Sequence, residues 1–95
     1  MPWPTDITAM EKGRILEVAF DDGEVIRLTA ERLRVESPSV EVQGHSPRQK
    51  KIVTGKENVA IVAVEPVGNY AVRIVFDDGH NTGLYTWEYL LRLAR

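Results

Sequence analysis

The chain has 95 residues, 43% of them hydrophobic and 27% charged, which is the size and composition of one globular domain. Its formal net charge of -2 argues against a nucleic-acid-binding protein, because such proteins ordinarily carry a basic excess. The absence of cysteine excludes disulfides, thiol catalysis and thiolate metal sites. We therefore expect a single domain over residues 1–95 that is held together by packing alone.

The sequence carries no signal for a membrane or for export. No run of about 18 apolar residues occurs, so no membrane-spanning helix is predicted. The first residues, Met1-Pro2-Trp3-Pro4, have neither the basic nor the apolar region of a signal peptide. We expect a cytoplasmic protein with no membrane partner and no nucleic-acid partner.

The first third of the chain predicts strands, a tight turn and a helix. Residues 6–11 favour a short strand, and residues 14–20 alternate as a strand with one buried face does. Asp21-Asp22-Gly23 is typical of a hairpin turn, because aspartate and glycine tolerate left-handed backbone angles. A return strand follows, and Thr29 is a candidate N-cap for a short helix near residues 30–34.

The middle of the chain, residues 37–58, has a different composition. It is rich in proline, glycine and serine, and its charges are mostly basic, which predicts a long connection with little regular structure. A connection of this length in a small domain is often functional. Its segment 43–56, which contains Arg48, Lys50 and Lys51, is a candidate site for an anionic ligand or an acidic partner.

The last third repeats the pattern of the first. The apolar run of residues 59–64 predicts a central strand covered on both faces, and residues 70–76 predict its partner. Phe76-Asp77-Asp78-Gly79 duplicates the earlier Phe20-Asp21-Asp22-Gly23. A short strand at Leu84-Tyr85 is then followed by a helix near residues 87–95.

This duplication predicts an α+β fold, with a small, mostly antiparallel sheet built from two strand–turn–strand–helix repeats. Short helices near residues 30–34 and 87–95 are expected on one face or end of the sheet. The paired aspartates are also candidates for acid–base or cation chemistry. Their repetition with the structural unit favours turn chemistry instead, since a catalytic pair need occur only once.

Few side chains suggest chemistry. His45 and His80, together with Asp78, have the ligand types of a mixed nitrogen and oxygen site for iron or zinc, although no metal-ligand spacing supports such a site. Tyr85 and Tyr89 stand four residues apart and are candidates for a shared contact face. No catalytic residues are assigned, because neither a Ser–His–acid order nor a dinucleotide-binding fingerprint occurs.

Five segments together form a longer pattern: residues 20–23 (FDDG), 33–39 (LRVESPS), 41–45 (EVQGH), 64–70 (VEPVGNY) and 76–87 (FDDGHNTGLYTW). In order and spacing they resemble the gamma-butyrobetaine hydroxylase-like N-terminal domain family. The resemblance spans nearly the whole chain and is strongest to small standalone bacterial members, which have no assigned activity.

The resemblance implies a non-catalytic role. In larger relatives this domain precedes an iron- and 2-oxoglutarate-dependent oxygenase domain, or is fused to ATPases of iron–sulfur cluster assembly. The oxygenase relatives hold zinc with a cysteine cluster after the first Leu-Arg and a histidine after the second Asp-Gly. In this chain residues 33–39 contain no cysteine and only His80 matches, so that zinc site is not expected here.

We expect a non-enzymatic accessory or protein-interaction module that serves iron or iron–sulfur enzymes, with no cofactor of its own. Its partner protein and oligomeric state are left open. The predicted contact surface consists of Gln43, His45, Arg48, Lys50, Lys51, His80 and Tyr85. Two alternatives remain: a metal-binding domain that holds iron or zinc through His80, His45 and Asp78, and a small enzyme or binder acting on an anionic ligand at residues 43–56.

Overall fold

The computed structural model describes residues 3–38, 55–81 and 83–95, which form six strands and two helices. The elements are β1 (Pro4–Met10), β2 (Ile15–Phe20), β3 (Val25–Thr29), α1 (Ala30–Val35), β4 (Ile61–Val67), β5 (Ala71–Phe76), β6 (Gly83–Thr86) and α2 (Trp87–Ala94).

The strands form two antiparallel sheets, one from each repeat. Their orders are β1-β2-β3 and β4-β5-β6, and each repeat ends in a short helix. The predicted α+β class, the antiparallel pairing and the two strand–turn–strand–helix repeats are therefore confirmed. The structure has two sheets where the sequence predicted one. A backbone hydrogen bond joins them: the N–H of Ile61 donates to the carbonyl oxygen of Gly13 at 2.7 Å.

The predicted central position of residues 59–64 is wrong. Strand β4 lies at the edge of its sheet, β5 occupies the centre, and the side chain of Val62 is 65% exposed. Only Val59 and Ile61 of the apolar run are buried in the core. An irregularity in the pairing of β4 between Ile61 and Ala63 interrupts the alternation, so the later side chains of the run do not all reach the core.

Both Asp-Asp-Gly segments form turns, and the first aspartate of each ties the turn to the start of its repeat. The carboxylate of Asp21 accepts a hydrogen bond from the backbone N–H of Trp3 at 3.2 Å. The carboxylate of Asp77 accepts one from the N–H of Ala60 at 3.1 Å. The same side chain therefore performs the same structural task in the two copies.

The second aspartate of each pair closes its own turn. Asp22 accepts from the N–H of Glu24 at 2.9 Å, and Asp78 accepts from the N–H of His80 at 3.1 Å. In both turns the glycine that follows has a φ of +91°, in the left-handed region that glycine adopts without steric strain. The predicted turn chemistry is confirmed for both copies.

The two helices begin at threonine caps and end against the opposite repeat. The hydroxyl oxygens of Thr29 and Thr86 accept from the backbone N–H groups three residues later, both at 3.1 Å. Helix α1 has six residues and α2 has eight, which is too short for stability in isolation. Helix α2 contacts β3 as well as β6, so its packing joins the two repeats.

One hydrophobic cluster draws on both repeats. Its members are Leu16, Val18, Phe20, Ile26, Leu28, Ala30, Leu33, Val59, Ile61, Val72, Ile74, Phe76, Tyr85, Trp87, Leu90, Leu91 and Leu93. Because both sheets and both helices contribute, neither repeat buries its apolar face without the other.

A glycine pair tests the junction between the sheets. Gly13 has a φ of +85° and any Cβ there overlaps the carbonyl oxygen of Ile61, whereas Gly23 has a φ of +91° with open space around it. We expect Gly13→Ala to lower the free energy of unfolding by about 3 kcal/mol and Gly23→Ala by about 1 kcal/mol. Urea unfolding measures both, and equal losses would contradict the close approach at Gly13.

Candidate functional site

The second turn is where three parts of the chain meet. Asp78 of this turn forms ion pairs with Arg34 of α1 and with Lys56, which precedes β4. His80 of the same turn forms a hydrogen bond with Ser37, just past the end of α1. We call these five residues the second-turn cluster. Two of them, Asp78 and His80, were predicted as site residues from the sequence.

His80 is fixed to the end of α1 by its side chain. Its Nε2 atom lies 2.8 Å from the hydroxyl oxygen of Ser37, and its ring centroid is 6.0 Å from that of Phe76. The imidazole is half-buried. Gly83 makes room for this contact, because a Cβ at that position overlaps the Ser37 hydroxyl. The Ser37–His80 hydrogen bond therefore depends on glycine, which has no side chain, at position 83 of β6.

Asp78 carries the charge at the centre of the cluster. Its carboxylate lies 2.8 Å from Arg34 Nε and 2.8 Å from Lys56 Nζ, and its side chain is only 19% exposed. Burial acts to raise the pKa of Asp78. The hydrogen bonds from Lys56, from the N–H of His80 and from Arg34 outweigh this effect and hold the pKa well below its usual range. Asp78 thus remains an ionised, charge-compensated group.

Tyr85 and Tyr89 bind the last turn of α1. The hydroxyl of Tyr85 donates to the carbonyl oxygen of Leu33, and the hydroxyl of Tyr89 donates to that of Glu36 at 2.5 Å. Burial raises the pKa of both phenols. Together the two tyrosines satisfy carbonyl groups that a helix C-terminus leaves without intrahelical donors.

The predicted surface position of Tyr85 is wrong, because its side chain is fully buried. The spacing of four residues suggested a common helix face, but Tyr85 belongs to β6 and α2 begins at Trp87. Alternation along the strand turns Tyr85 into the core, while its ring still lies 6.1 Å from that of Tyr89.

The remaining predicted site residues lie outside the described part of the chain. These are Gln43, His45, Arg48, Lys50 and Lys51. Within residues 3–38, 55–81 and 83–95, no three His, Cys, Asp or Glu side chains are grouped so that they could hold a metal ion. The metal site of His80, His45 and Asp78 therefore stays a prediction.

Lys56 lies at the end of the segment 43–56 that the sequence predicted as a candidate site, whereas Arg34 and Ser37 were not predicted as site residues. Arg34 is 44 residues from Asp78, and Ser37 is 43 residues from His80. No local pattern signals contacts at this separation. Two less direct signals are available: the duplicated turn indicates that two equivalent helix ends and turns share one core, and the zinc site of the oxygenase relatives joins the positions of residues 33–39 and His80.

Two antiparallel three-stranded sheets with two short helices define a small α+β domain. Residues 7–91 match the family described as gamma-butyrobetaine hydroxylase-like, N-terminal, and the chain belongs to this family. The family assignment expected from the five sequence segments is confirmed. No curated protein matches the sequence.

Solved structures of similar proteins have the same fold. One is the crystal structure of a protein of unknown function from Acidithiobacillus ferrooxidans ATCC 23270 that belongs to the DUF971 family. It is 49% identical, with 96% of this chain and 91% of that chain covered and a TM-score of 0.80. A solution NMR structure is 52% identical over 99% of this chain and 70% of the other, with a TM-score of 0.82. Another is 45% identical over 99% of this chain and 73% of the other, with a TM-score of 0.81.

In the described residues of this chain, neither helix has the length and apolar character to cross a membrane.

The charge of Asp78 can be tested through pH. Asp78→Asn keeps an acceptor for the His80 N–H but removes the ion pairs with Arg34 and Lys56, which water partly screens. We expect a loss of about 1 kcal/mol near neutral pH. Because folding lowers the pKa of Asp78, its contribution is present above the usual aspartate value of about 4 and is lost as pH falls toward the native pKa. Urea unfolding curves of wild type and variant should therefore converge in acid.

Asp22→Asn is the matched control, since Asp22 closes the first turn in the same way. It forms no ion pair with the described residues, so its substitution should change stability near neutral pH by less than half as much. An Asp22 effect as large as that of Asp78 would contradict a special role of charge at the second turn.

The tyrosine hydroxyls are also open to test. Tyr85→Phe leaves a buried carbonyl of Leu33 without its donor, for which we expect a loss of about 1–2 kcal/mol. Tyr89→Phe should cost about 0.5 kcal/mol, because Tyr89 is only half-buried and water can replace the donor. Chemical unfolding followed by circular dichroism measures both, and a larger loss for Tyr89 would reverse the assigned order.

Proposed function

We propose that the chain is a non-enzymatic protein-interaction module that serves iron or iron–sulfur enzymes. Its proposed contact surface combines His80 of the second turn with the segment of the sequence that carries the basic side chains. The other proposed contact residues are Gln43, His45, Arg48, Lys50 and Lys51.

The observation that carries this proposal is the way the second turn holds both flanks of residues 39–54. Ser37, two residues before this range, bonds to His80 at 2.8 Å, and Lys56, two residues after it, bonds to Asp78 at 2.8 Å. Both flanks are thus fixed to one rigid hairpin. This supports one surface that combines the turn and the basic segment.

Charge supports an acidic partner surface. At the second turn, Arg34 and Lys56 pair with the carboxylate of Asp78, and Asp77 supplies a second carboxylate, so the charges of the turn itself are balanced. The positive charge comes from Arg48, Lys50 and Lys51, which lie between the two flanks in the sequence. Complementary potentials of this kind speed association and select partners.

The link to iron enzymes rests on the family. In the relatives that the resemblance points to, the domain accompanies an oxygenase or an ATPase of iron–sulfur cluster assembly without supplying the catalytic groups. This is support by analogy, because similar folds serve different functions. It names the class of partner to be tested first.

The two alternatives have less support from the cluster. A metal ion at Asp78 meets the positive charges of Arg34 and Lys56, both 2.8 Å from the carboxylate. An anionic ligand at residues 43–56 loses Lys56 as a free cation, because its ammonium group is paired with Asp78. The interaction module therefore remains the leading hypothesis.

The experiment compares partner capture by two triple variants. Arg48→Ala, Lys50→Ala and Lys51→Ala are combined in one tagged full-length chain, which is expressed in the source organism and cross-linked before purification. We expect recovery of an iron or iron–sulfur enzyme by the wild type and a loss of roughly tenfold or more in the variant, measured by quantitative mass spectrometry.

The matched control removes three positive charges elsewhere. The side chains of the three control residues are largely exposed: Arg27 65%, Arg92 71% and Arg95 67%. Their replacement by alanine should therefore disturb the fold little, and it removes the same number of positive charges as the first variant. Recovery should stay near the wild-type level in this control. Equal losses in both variants indicate a net-charge effect, and unchanged recovery in the first variant overturns the proposed surface.

A further inference from the structure

Two large aromatic side chains are exposed together on one face. Trp3 is 52% exposed and Tyr70 is 53% exposed, whereas the other described aromatic residues are buried or half-buried. Trp3 and Tyr70 border an open groove of about 380 Å³, with Thr86, Trp87 and Glu88 completing its lining. Exposed aromatic residues gathered in a concave site are typical of binding surfaces.

The groove is held in shape by contacts of its own. Trp87 forms the floor, only 7% exposed, and its indole N–H donates to the carbonyl oxygen of Asn69 at 3.1 Å. The ring of Tyr70 lies over Gly68, where a Cβ is only 3.0 Å from the ring atoms. The backbone of Trp3 is fixed by two hydrogen bonds with Asp21, at 2.8 and 3.2 Å. A site that is already formed loses little conformational entropy on binding.

The lining of the groove suits a cation. The faces of tryptophan and tyrosine rings carry negative electrostatic potential and attract positive groups. Glu88 adds a carboxylate that is 68% exposed, and its pairing with Arg92 is long, at 3.9 Å between two exposed side chains. Such a pair contributes little to stability and leaves the carboxylate available to a stronger donor. None of the five lining residues is basic.

We propose that this groove binds an arginine side chain presented by an exposed segment of a partner protein. A planar guanidinium group can stack on an aromatic ring while its N–H groups donate to a carboxylate. In this groove the rings of Trp3 and Tyr70 offer the stacking faces and Glu88 offers the carboxylate. A quaternary ammonium group has no N–H donor for Glu88. The groove is open rather than enclosed, so a side chain on a protein surface can enter it.

This site is separate from the second turn and goes beyond the proposed function. Tyr70 immediately precedes β5, whereas His80 follows the other end of the same strand. A strand of six residues spans about 20 Å, so the groove and the second-turn cluster lie at opposite ends of the sheet. Binding at the groove can therefore be measured whether or not the second turn has a partner.

Both tryptophans of the chain line the groove, so their indole N–H signals report on it directly. The probe is acetyl-Gly-Arg-Gly-amide, titrated into the full ¹⁵N-labelled chain and followed by NMR. The same peptide with neutral citrulline in place of arginine is the control. We expect saturable shifts of both indole signals with the arginine peptide and affinity at least about fivefold weaker for citrulline.

Variants locate the site. Trp3→Ala, Tyr70→Ala and Glu88→Gln should each weaken binding of the arginine peptide about fivefold or more. Val62→Ala removes an exposed apolar side chain from another strand, and Glu31→Gln removes the corresponding first-turn carboxylate from α1. Both controls should bind as the wild type does. The dispersion of the amide signals confirms that each variant is folded.

Three results overturn the proposal. The first is no indole shift up to about 20 mM arginine peptide, a limit that already corresponds to very weak affinity. The second is equal binding of the citrulline peptide, which indicates recognition without charge. The third is tighter binding of tetramethylammonium than of the arginine peptide, which indicates a small quaternary cation as ligand instead of a partner's arginine.

Discussion

The structure depends on contacts in which each repeat stabilises the end of the helix that belongs to the other repeat. Helix α1 has only six residues, so its last turn is stable only where other parts of the chain satisfy it. Those parts all come from the second repeat: Tyr85 and Tyr89 bind its carbonyl oxygens, and Asp78 pairs with Arg34. In the other direction, α2 packs on β3 of the first repeat, and its Leu93 carbonyl accepts from Arg32 at 3.1 Å. Each repeat therefore stabilises the helix of the other, and a substitution at the second turn is expected to destabilise the end of α1.

The two turns show how the copies have diverged around the same geometry. After the first glycine stands Glu24, whose carboxylate pairs with Arg95 at the end of α2 at 3.3 Å, with both side chains exposed to water. After the second glycine stands His80, whose half-buried imidazole bonds to Ser37 just past α1. In the oxygenase relatives that the resemblance points to, zinc joins these same two segments. Here a direct hydrogen bond between Ser37 and His80 joins them, so the junction remains although the cysteine ligands are absent.

Much of this fold could be predicted from the sequence, because its turns and caps are local. The two Asp-Asp-Gly turns and the threonine caps at residues 29 and 86 need only the chemistry of neighbouring residues. The predictions for residues 59–64 and Tyr85 were wrong because an apolar run does not reveal whether a strand is central, and a spacing of four residues has no meaning across a strand–helix boundary. The contacts of Ser37 and Arg34 join residues more than 40 positions apart, which only the assembled core brings together.

Three titratable groups around the end of α1, Asp78, Tyr85 and Tyr89, have pKa values shifted away from neutrality. A catalytic acid or base works best with a pKa near the working pH. In this protein the pKa of Asp78 is lowered and those of Tyr85 and Tyr89 are raised, so these groups keep one protonation state throughout the physiological range. Their polar atoms hold the end of α1 in place and are occupied by that task. Such a scaffold is suited to presenting side chains at its two ends, the second turn and the aromatic groove, and this accords with the proposed role in binding.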